Sequence, residues 1–293
     1  MMALLWRLAM HFLRFLPLPL LRWVGRLLGW ALWGLAVKRR KVVLTNLALC
    51  FPKLTEPQRH RLGRLHMVLF AQAWLDRSWL WHGSPALVAS RLHMVGQVQD
   101  LRQMDGAVLF APHFVGLDAG WTALCLLMQR RFTTLYTPQR SETIDQWVLK
   151  GRQRFGQLRL FRREDGFKAI VSALRQGELL YLLPDMNFRL DESIFVPFYG
   201  VPAATVTSLP RLARLGQVPV VPVTTRLTPK GYEVQVHAAW QNYPSDDVAA
   251  DTALMNLRLQ SWIDAMPEQY YWVHKRFKSR PEGEASLYPA GTD

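Results

Sequence analysis

A histidine and an aspartate stand five residues apart just after an apolar run of the chain. Residues 107–111 are predicted to form a buried strand, His113 follows after one proline, and Asp118 opens a helix-like segment. An imidazole is a base near physiological pH, and a carboxylate that accepts its second N–H fixes the tautomer and stabilises the imidazolium. The pair is therefore a candidate for taking the proton from a substrate hydroxyl. A half-buried histidine beside a capping aspartate is the alternative.

The spacing of the pair limits where each member can lie. On one continuous helix, side chains five residues apart would point ~140° away from each other. We therefore predict His113 in the loop after the strand and Asp118 in the first turn of the helix, where the helix dipole favours an anion. Neither serine nor cysteine stands beside the pair, which favours direct attack by the substrate hydroxyl. Backbone amides after His113 are candidate donors to the oxyanion.

Predicted strands and helices alternate along the chain, which is typical of an α/β fold. The predicted strands are 107–111, 132–136, 158–161, 178–183, 218–227 and 232–240. The predicted helices are 55–83, 117–129, 141–155, 166–176, 203–215 and 247–265. The last two strands are spaced as a hairpin, so we expect a mixed, largely parallel sheet flanked by helices. Pro219 and Pro222 lack N–H groups, which favours an edge strand or a bulge there.

The N-terminal region combines apolar and cationic residues. The chain carries 36 Lys and Arg against 22 Asp and Glu, a net charge of +14, which favours anionic partners. In residues 1–37 the longest uncharged run has eleven residues, fewer than the ~20 that span a bilayer. Arginines on such a helix can snorkel to lipid headgroups. We predict a membrane-associated helical arm at residues 1–40 and a catalytic domain at 41–293. Packing of the arm on the protein's own core is the alternative.

The remaining composition argues against several classes of protein. The arm lacks a small-residue cleavage site, so a secretory signal is not expected. Cys50 and Cys125 are isolated, which provides neither a disulfide framework nor a zinc site, and a reducing compartment is compatible with them. The histidines have no metal-type spacing. We therefore expect no metal and no cofactor.

Several segments together resemble a known family. They are residues 41–52 (KVVLTNLALCFP), 113–118 (HFVGLD), 195–205 (FVPFYGVPAAT) and 267–281 (PEQYYWVHKRFKSRP). The chain resembles the late acyltransferases of lipid A biosynthesis, the lauroyl and myristoyl transferases of the larger glycerolipid acyltransferase superfamily. The glycerol-phosphate branch shares the His/Asp motif but lacks the last and longest segment. Family members often have an Asp-X-Asp pattern where this chain has Pro184-Asp185-Met186-Asn187.

The resemblance implies a membrane-bound O-acyltransferase. It implies transfer of a fatty acyl chain from acyl-carrier protein, or from coenzyme A, to a hydroxyl of a lipid A precursor, with His113 as general base and Asp118 as its orienting partner. It also implies a catalytic domain on the cytoplasmic side of the inner membrane. A lysophospholipid or another glycolipid is the alternative acceptor. The expected partners are the acyl donor, an anionic glycolipid and membrane lipid, and we expect no nucleic acid.

Four further residues are predicted to bind substrate. Arg163, preferred over its neighbour Arg162, is assigned to a phosphate of the glycolipid or of the donor's phosphopantetheine, and a solvated surface charge is the alternative. Asp185 follows a predicted strand and either shapes the acceptor pocket or forms a turn. His274 and Arg276 lie in a basic, aromatic run, which suits an anionic membrane interface or a phosphorylated saccharide.

Overall fold

The computed structural model describes residues 2–139, 141–162 and 166–292. The strands are β1 (Leu92–Gly96), β2 (Ala107–Phe110), β3 (Arg131–Leu135), β4 (Gln157–Phe161), β5 (Leu179–Leu182), β6 (Ser193–Phe198), β7 (Val201–Val206), β8 (Val220–Thr228) and β9 (Gly231–Val236). The helices are α1 (Met2–Leu13), α2 (Leu18–Leu35), α3 (Val37–Cys50), α4 (Glu56–His82), α5 (Pro85–Ser90), α6 (Val98–Gln103), α7 (Leu117–Leu127), α8 (Glu142–Arg152), α9 (Gly166–Arg175), α10 (Ser208–Gly216) and α11 (Val248–Ala265).

One mixed sheet organises the described residues. Its seven strands lie in the order β1-β9-β8-β2-β5-β3-β4, and only the β8–β9 pair is antiparallel. β6 and β7 form a separate antiparallel hairpin. The predicted fold, a mixed and largely parallel sheet flanked by helices, is confirmed.

The central strand β2 holds the loop that carries His113. Every residue of β2 is fully buried. Val108 and Phe110 pack on the face covered by α9, α10 and α11, whereas Leu109 packs on the face covered by α7. Helices on both faces explain why the strand is apolar throughout rather than alternating. The loop after β2 therefore leaves a rigid, fully covered core.

Two predictions about local structure are wrong. Residues 203–206 were expected in a helix but belong to β7, where they pair with β6, and α10 begins only at Ser208. Cross-strand pairing with β6, which ends two residues before β7 begins, overrides the local alanine-rich signal. An edge strand or a bulge was predicted at Pro219 and Pro222, and the edge strand is wrong, because β2 and β9 flank β8. Pro222 is tolerated because the pairing with β9 begins only at the next residue, Val223.

The N-terminal arm packs tightly on α4. Pro17 precedes α2, and a Cβ atom on Gly29 of that helix would come within 2.4 Å of the Val68 Cα atom of α4. Arg22 is buried, and its guanidinium lies 2.8 Å from the carboxylate of Asp76. One side of the arm thus packs on the protein itself. In the described part of the chain no single helix is long and apolar enough to cross a membrane, whereas α2 and α3 pass that test together across a 91° bend.

The contact at Gly29 leads to a stability prediction. Gly29→Ala is expected to lower the free energy of unfolding by about 1–3 kcal/mol, because the new methyl group meets the α4 backbone. Gly34→Ala on the same helix is the matched control, since a Cβ there meets nothing within 4 Å. That change should raise stability by up to ~1 kcal/mol through helix propensity. Denaturant unfolding in detergent measures both, and equal effects of the two substitutions would contradict the tight packing.

Candidate active site

His113 lies in the loop after β2, as predicted, and its partner is Asp185. The His113 Nδ1 atom is 2.8 Å from Asp185 Oδ1, and the His113 backbone N–H donates to Asp185 Oδ2 at 3.0 Å. The two residues meet because β2 and β5 are parallel neighbours and their carboxyl ends reach the same edge of the sheet. The Asp185 side chain is fully buried, and that of His113 is 23% exposed. The imidazole is thus partly accessible to solvent, whereas its carboxylate partner is not.

The contact with Asp185 fixes the tautomer of the neutral His113 imidazole. An ionised carboxylate only accepts hydrogen bonds, so Nδ1 donates and the neutral ring keeps Nε2 as its acceptor. Burial alone raises the pKa of Asp185, but the charge of His113 and the hydrogen bonds from it outweigh burial and hold that pKa below its usual range. Asp185 therefore stays ionised and can stabilise a protonated His113. This is the role that the sequence had suggested for Asp118.

Asp118 has different partners. It lies in the first turn of α7 as predicted, but that turn packs toward α4 and α8. Arg77 Nε and Nη2 each lie 2.7 Å from Asp118 Oδ2, and Arg152 Nε donates to Oδ1 at 2.9 Å. The prediction that Asp118 bonds the His113 ring is therefore wrong, because the ring bonds Asp185 instead. A catalytic contribution of Asp118 stays a prediction.

The arginine pair makes Asp118 sensitive to strong acid. Burial raises the pKa of Asp118, but Arg152 and Arg77 outweigh it and lower the pKa to about 2. Because the pKa is lower in the folded chain, the contact stabilises the fold above about pH 4 and is lost as the pH falls through about 2. Between pH 5 and pH 2 the wild type should therefore lose about 2 kcal/mol of unfolding free energy that the Asp118→Asn variant does not lose. Urea unfolding at pH 5 and pH 2 measures this against exposed Asp100→Asn, and an unchanged acid dependence would refute it.

A C-terminal segment wraps the His113 loop. The Tyr271 backbone N–H donates to the His113 carbonyl at 2.9 Å, and the Tyr270 hydroxyl donates to the Asp185 carbonyl at 3.4 Å. Asn46 of α3 donates to the carbonyls of Trp272 and His274 at 2.8 and 2.7 Å. The longest of the segments that carried the family resemblance therefore lies directly against the catalytic candidates.

The other predicted binding residues have diverse surroundings. Burial lowers the pKa of His274 to about 4, and its Nε2 atom is buried without a hydrogen-bond partner among the described residues. Arg276 is buried and donates to the Ala204 carbonyl and the Thr205 hydroxyl, both at 2.7 Å, which ties the C-terminal segment to the β6–β7 hairpin. Substrate binding by these two residues stays a prediction. Arg163 lies outside the described residues.

Sequence reasoning missed Arg77 and Arg152. Arg77 has Trp74 three residues before it and Trp81 four residues after it on α4, so both indoles lie on its face of the helix. Its Cζ atom is 4.4 and 5.5 Å from their ring centroids. That W-x-x-R-x-x-x-W spacing was a usable signal for a held cation. No comparable pattern marks Arg152.

The described ranges contain no group of three or more histidine, cysteine or acidic side chains placed to hold a metal ion. Cys50 and Cys125 are both buried as free thiols.

A histidine held by a buried aspartate at the carboxyl edge of a mostly parallel sheet is the arrangement expected of an α/β enzyme that activates a hydroxyl. The chain belongs to the bacterial lipid A biosynthesis acyltransferase family, whose profile matches residues 2–279. It is accordingly an acyltransferase.

Three relatives from Escherichia coli (strain K12) are similar over most of their length. The lipid A biosynthesis lauroyltransferase is 32% identical over 279 residues, covering 93% of this chain and 90% of the relative. The palmitoleoyltransferase is 28% identical over 280 residues, with 93% and 90% covered. The myristoyltransferase is 28% identical over 281 residues, with 92% and 83% covered.

Proposed function

We propose that this enzyme transfers a fatty acyl chain from the thioester of acyl-carrier protein, or of coenzyme A, to a hydroxyl of a lipid A precursor. The family membership and the names of the relatives support the acceptor. The observation that carries the chemistry is the bond from His113 Nδ1 to Asp185, which leaves Nε2 as the acceptor of a partly exposed ring.

The proposed mechanism uses that acceptor twice. His113 Nε2 takes the proton of the acceptor hydroxyl as its oxygen attacks the thioester carbonyl carbon. The tetrahedral intermediate then collapses, the C–S bond breaks, and the imidazolium returns the proton to the leaving thiolate. Asp185 stabilises the imidazolium that exists between the two transfers. The products are the ester and the free thiol.

Three amides of the His113 loop already have hydrogen-bond partners other than the oxyanion of that intermediate. The amides of His113, Phe114 and Val115 are already bonded to the Asp185 carboxylate, the Pro112 carbonyl and the Gln269 carbonyl, respectively. The sequence-based expectation that amides directly after His113 serve the oxyanion is therefore not supported for Phe114 and Val115.

A direct assay tests the proposed function. Purified enzyme is incubated with a lipid A precursor and with acyl-carrier-protein or coenzyme A thioesters of several chain lengths. The mass of the glycolipid is then measured by mass spectrometry. We expect a mass increase equal to one acyl group and release of one thiol. Acylation of a lysophospholipid with none of the lipid A precursor would instead establish the alternative acceptor.

We further propose that the arm holds the enzyme on the cytoplasmic face of the inner membrane. Its outward side, here named the arm surface, consists of large apolar residues that are exposed to solvent. They are Leu8, Phe12, Phe15, Leu20, Trp23, Leu27, Leu28, Trp30 and Leu35. The basic cluster at 38–41 follows directly. Exposed apolar side chains beside cations suit insertion into an anionic lipid interface.

Substitution of the arm surface should weaken this attachment. The triple change Phe12→Ser, Trp23→Ser and Trp30→Ser is expected to reduce binding to anionic phospholipid vesicles by at least about tenfold, because apolar area no longer leaves water. Leu257→Ser on α11 is the control, since that leucine is equally exposed but distant in the chain from the arm. Co-sedimentation with vesicles measures both, and equal losses would argue against the arm surface.

A further inference from the structure

The buried ion cluster at Asp118 carries an excess of positive charge. One carboxylate faces two guanidinium groups, those of Arg77 and Arg152, and its two oxygens are both occupied by them. Cations removed from water are stabilised only when anions or acceptors match them. The cluster is therefore one negative charge short of neutrality.

Arg77 is held in place but incompletely bonded. Its guanidinium stacks on the Trp74 ring and lies near the Trp81 ring, and two of its nitrogens bond Asp118. Trp81 is itself fixed by Trp147 of α8, with ring centroids 4.4 Å apart. The third nitrogen, Nη1, is buried without a hydrogen-bond partner among the described residues. A preorganised guanidinium whose Nη1 keeps two unpaired N–H donors suits a ligand oxygen.

The cluster borders the catalytic histidine. The ring centroids of His113 and Tyr271 are 6.1 Å apart. Asp118 lies in the first turn of α7, five residues after His113, so one short segment joins the cluster to the His113 loop. The side chains of Arg77 and Arg152 are 21% and 25% exposed, so the cluster is open on one side. A group bound there would lie next to the segment that carries His113.

We propose that Arg77 and Arg152 form a binding site for a phosphate group of a substrate, with Asp118 as the residue that positions both arginines. The proposal rests on the proposed acyl transfer. A phosphate supplies the missing negative charge and oxygens for forked guanidinium contacts. Its source is either a phosphate of the glycolipid acceptor or the phosphopantetheine phosphate of the donor. These two sources share one chemistry.

The test crosses two acceptors with two donors. The acceptors are the phosphorylated precursor and its phosphatase-treated form, and the donors are the carrier-protein thioester and the phosphate-free N-acetylcysteamine thioester. Arg77→Lys keeps the charge but loses the fork, and Arg152→Gln is the second variant. Arg64→Gln, an exposed site on the same helix, is the control. We expect KM of the phosphate-bearing substrate to rise about 10- to 100-fold in both variants, with kcat less affected.

The pattern of defects identifies the source. A KM defect that disappears with the dephosphorylated acceptor assigns the site to the acceptor, and one that disappears with the N-acetylcysteamine donor assigns it to the donor. A defect of equal size in all four combinations, or no defect in either folded variant, overturns the proposal.

Direct binding separates this inference from the proposed function. Quenching of tryptophan fluorescence by the phosphorylated and dephosphorylated glycolipids, and by coenzyme A against pantetheine, is measured without any turnover. If the wild type transfers no acyl group but prefers the phosphorylated ligand of a pair, and Arg77→Lys loses that preference, the site stands and the acyl-transfer proposal fails. If Arg77→Lys retains the wild-type preference for phosphate in both pairs, or if the wild type has none, the site is wrong.

Discussion

His113→Ala is expected to lower kcat by about 100- to 10,000-fold, because the enzyme loses the proposed acceptor of the hydroxyl proton. The ring is partly exposed at the open side of the site, so its removal should leave the fold intact. Steady-state acyl transfer measures the loss, and thermal unfolding checks the fold. His93→Ala on the surface of β1 is the matched control and should retain wild-type turnover. A His113→Ala enzyme within about threefold of the wild type would exclude the general-base role.

The same assay shows whether Asp185 or Asp118 is the carboxylate that supports His113 in catalysis. Asp185→Asn removes the anion that bonds His113 Nδ1, so kcat should fall nearly as far as in His113→Ala. Asp118→Asn disturbs the two arginines and should affect KM more than kcat. The reverse order, with kcat lost in Asp118→Asn and kept in Asp185→Asn, would contradict the pairing seen in the structure.

Arg22→Met is expected to cost about 3–5 kcal/mol in the free energy of unfolding, because it leaves the Asp76 carboxylate buried without its cation. Asp76 is fully buried, and it also accepts hydrogen bonds from the Tyr232 hydroxyl at 2.6 Å and the Trp79 indole at 3.0 Å. Those two donors cannot replace a full positive charge. Urea unfolding in detergent measures the change.

Two further variants serve as controls for Arg22→Met. Arg26→Met on the exposed side of the same helix should change stability by less than about 0.5 kcal/mol. The double variant Arg22→Met with Asp76→Asn should recover part of the loss, since the buried carboxylate is no longer charged. A double variant less stable than Arg22→Met alone would show that the cost arises from lost packing of the arginine.

The site was predictable from sequence only as far as local spacing reaches. An apolar strand followed by His113 indicated the loop and the sheet edge, and Asp118 lies in the helical turn that its spacing predicted. Spacing does not determine which way that turn faces, so the hydrogen-bond partner was misassigned. Asp185 is 72 residues from His113, and the pairing of β2 with β5 brings them together. Such non-local contacts depend on the order of strands, which periodicity does not encode.

In the fold, too, local sequence signals predicted some elements, whereas contacts between elements determined others. The helix at α4 was predicted from its Thr55 cap, which forms a capping box with Gln58. β7 was missed because its pairing with β6, rather than its own residues, makes it a strand. The arm arginines were treated alike as snorkelling cations, yet Arg22 faces the protein and Arg26 faces out. Only the packing of α2 on α4 distinguishes them.

The close packing of α2 on α4 has a practical consequence for the preparation of the enzyme. Deleting residues 1–37 would remove Arg22 from Asp76 and strip the cover that Gly29 forms over the Val68 backbone. The helix that is proposed to contact lipid is thus also packed against the folded protein. A form with less affinity for lipid is better sought by replacing the outward residues Trp23 and Trp30 than by truncation, because a shortened chain would also lose the contacts that stabilise the fold.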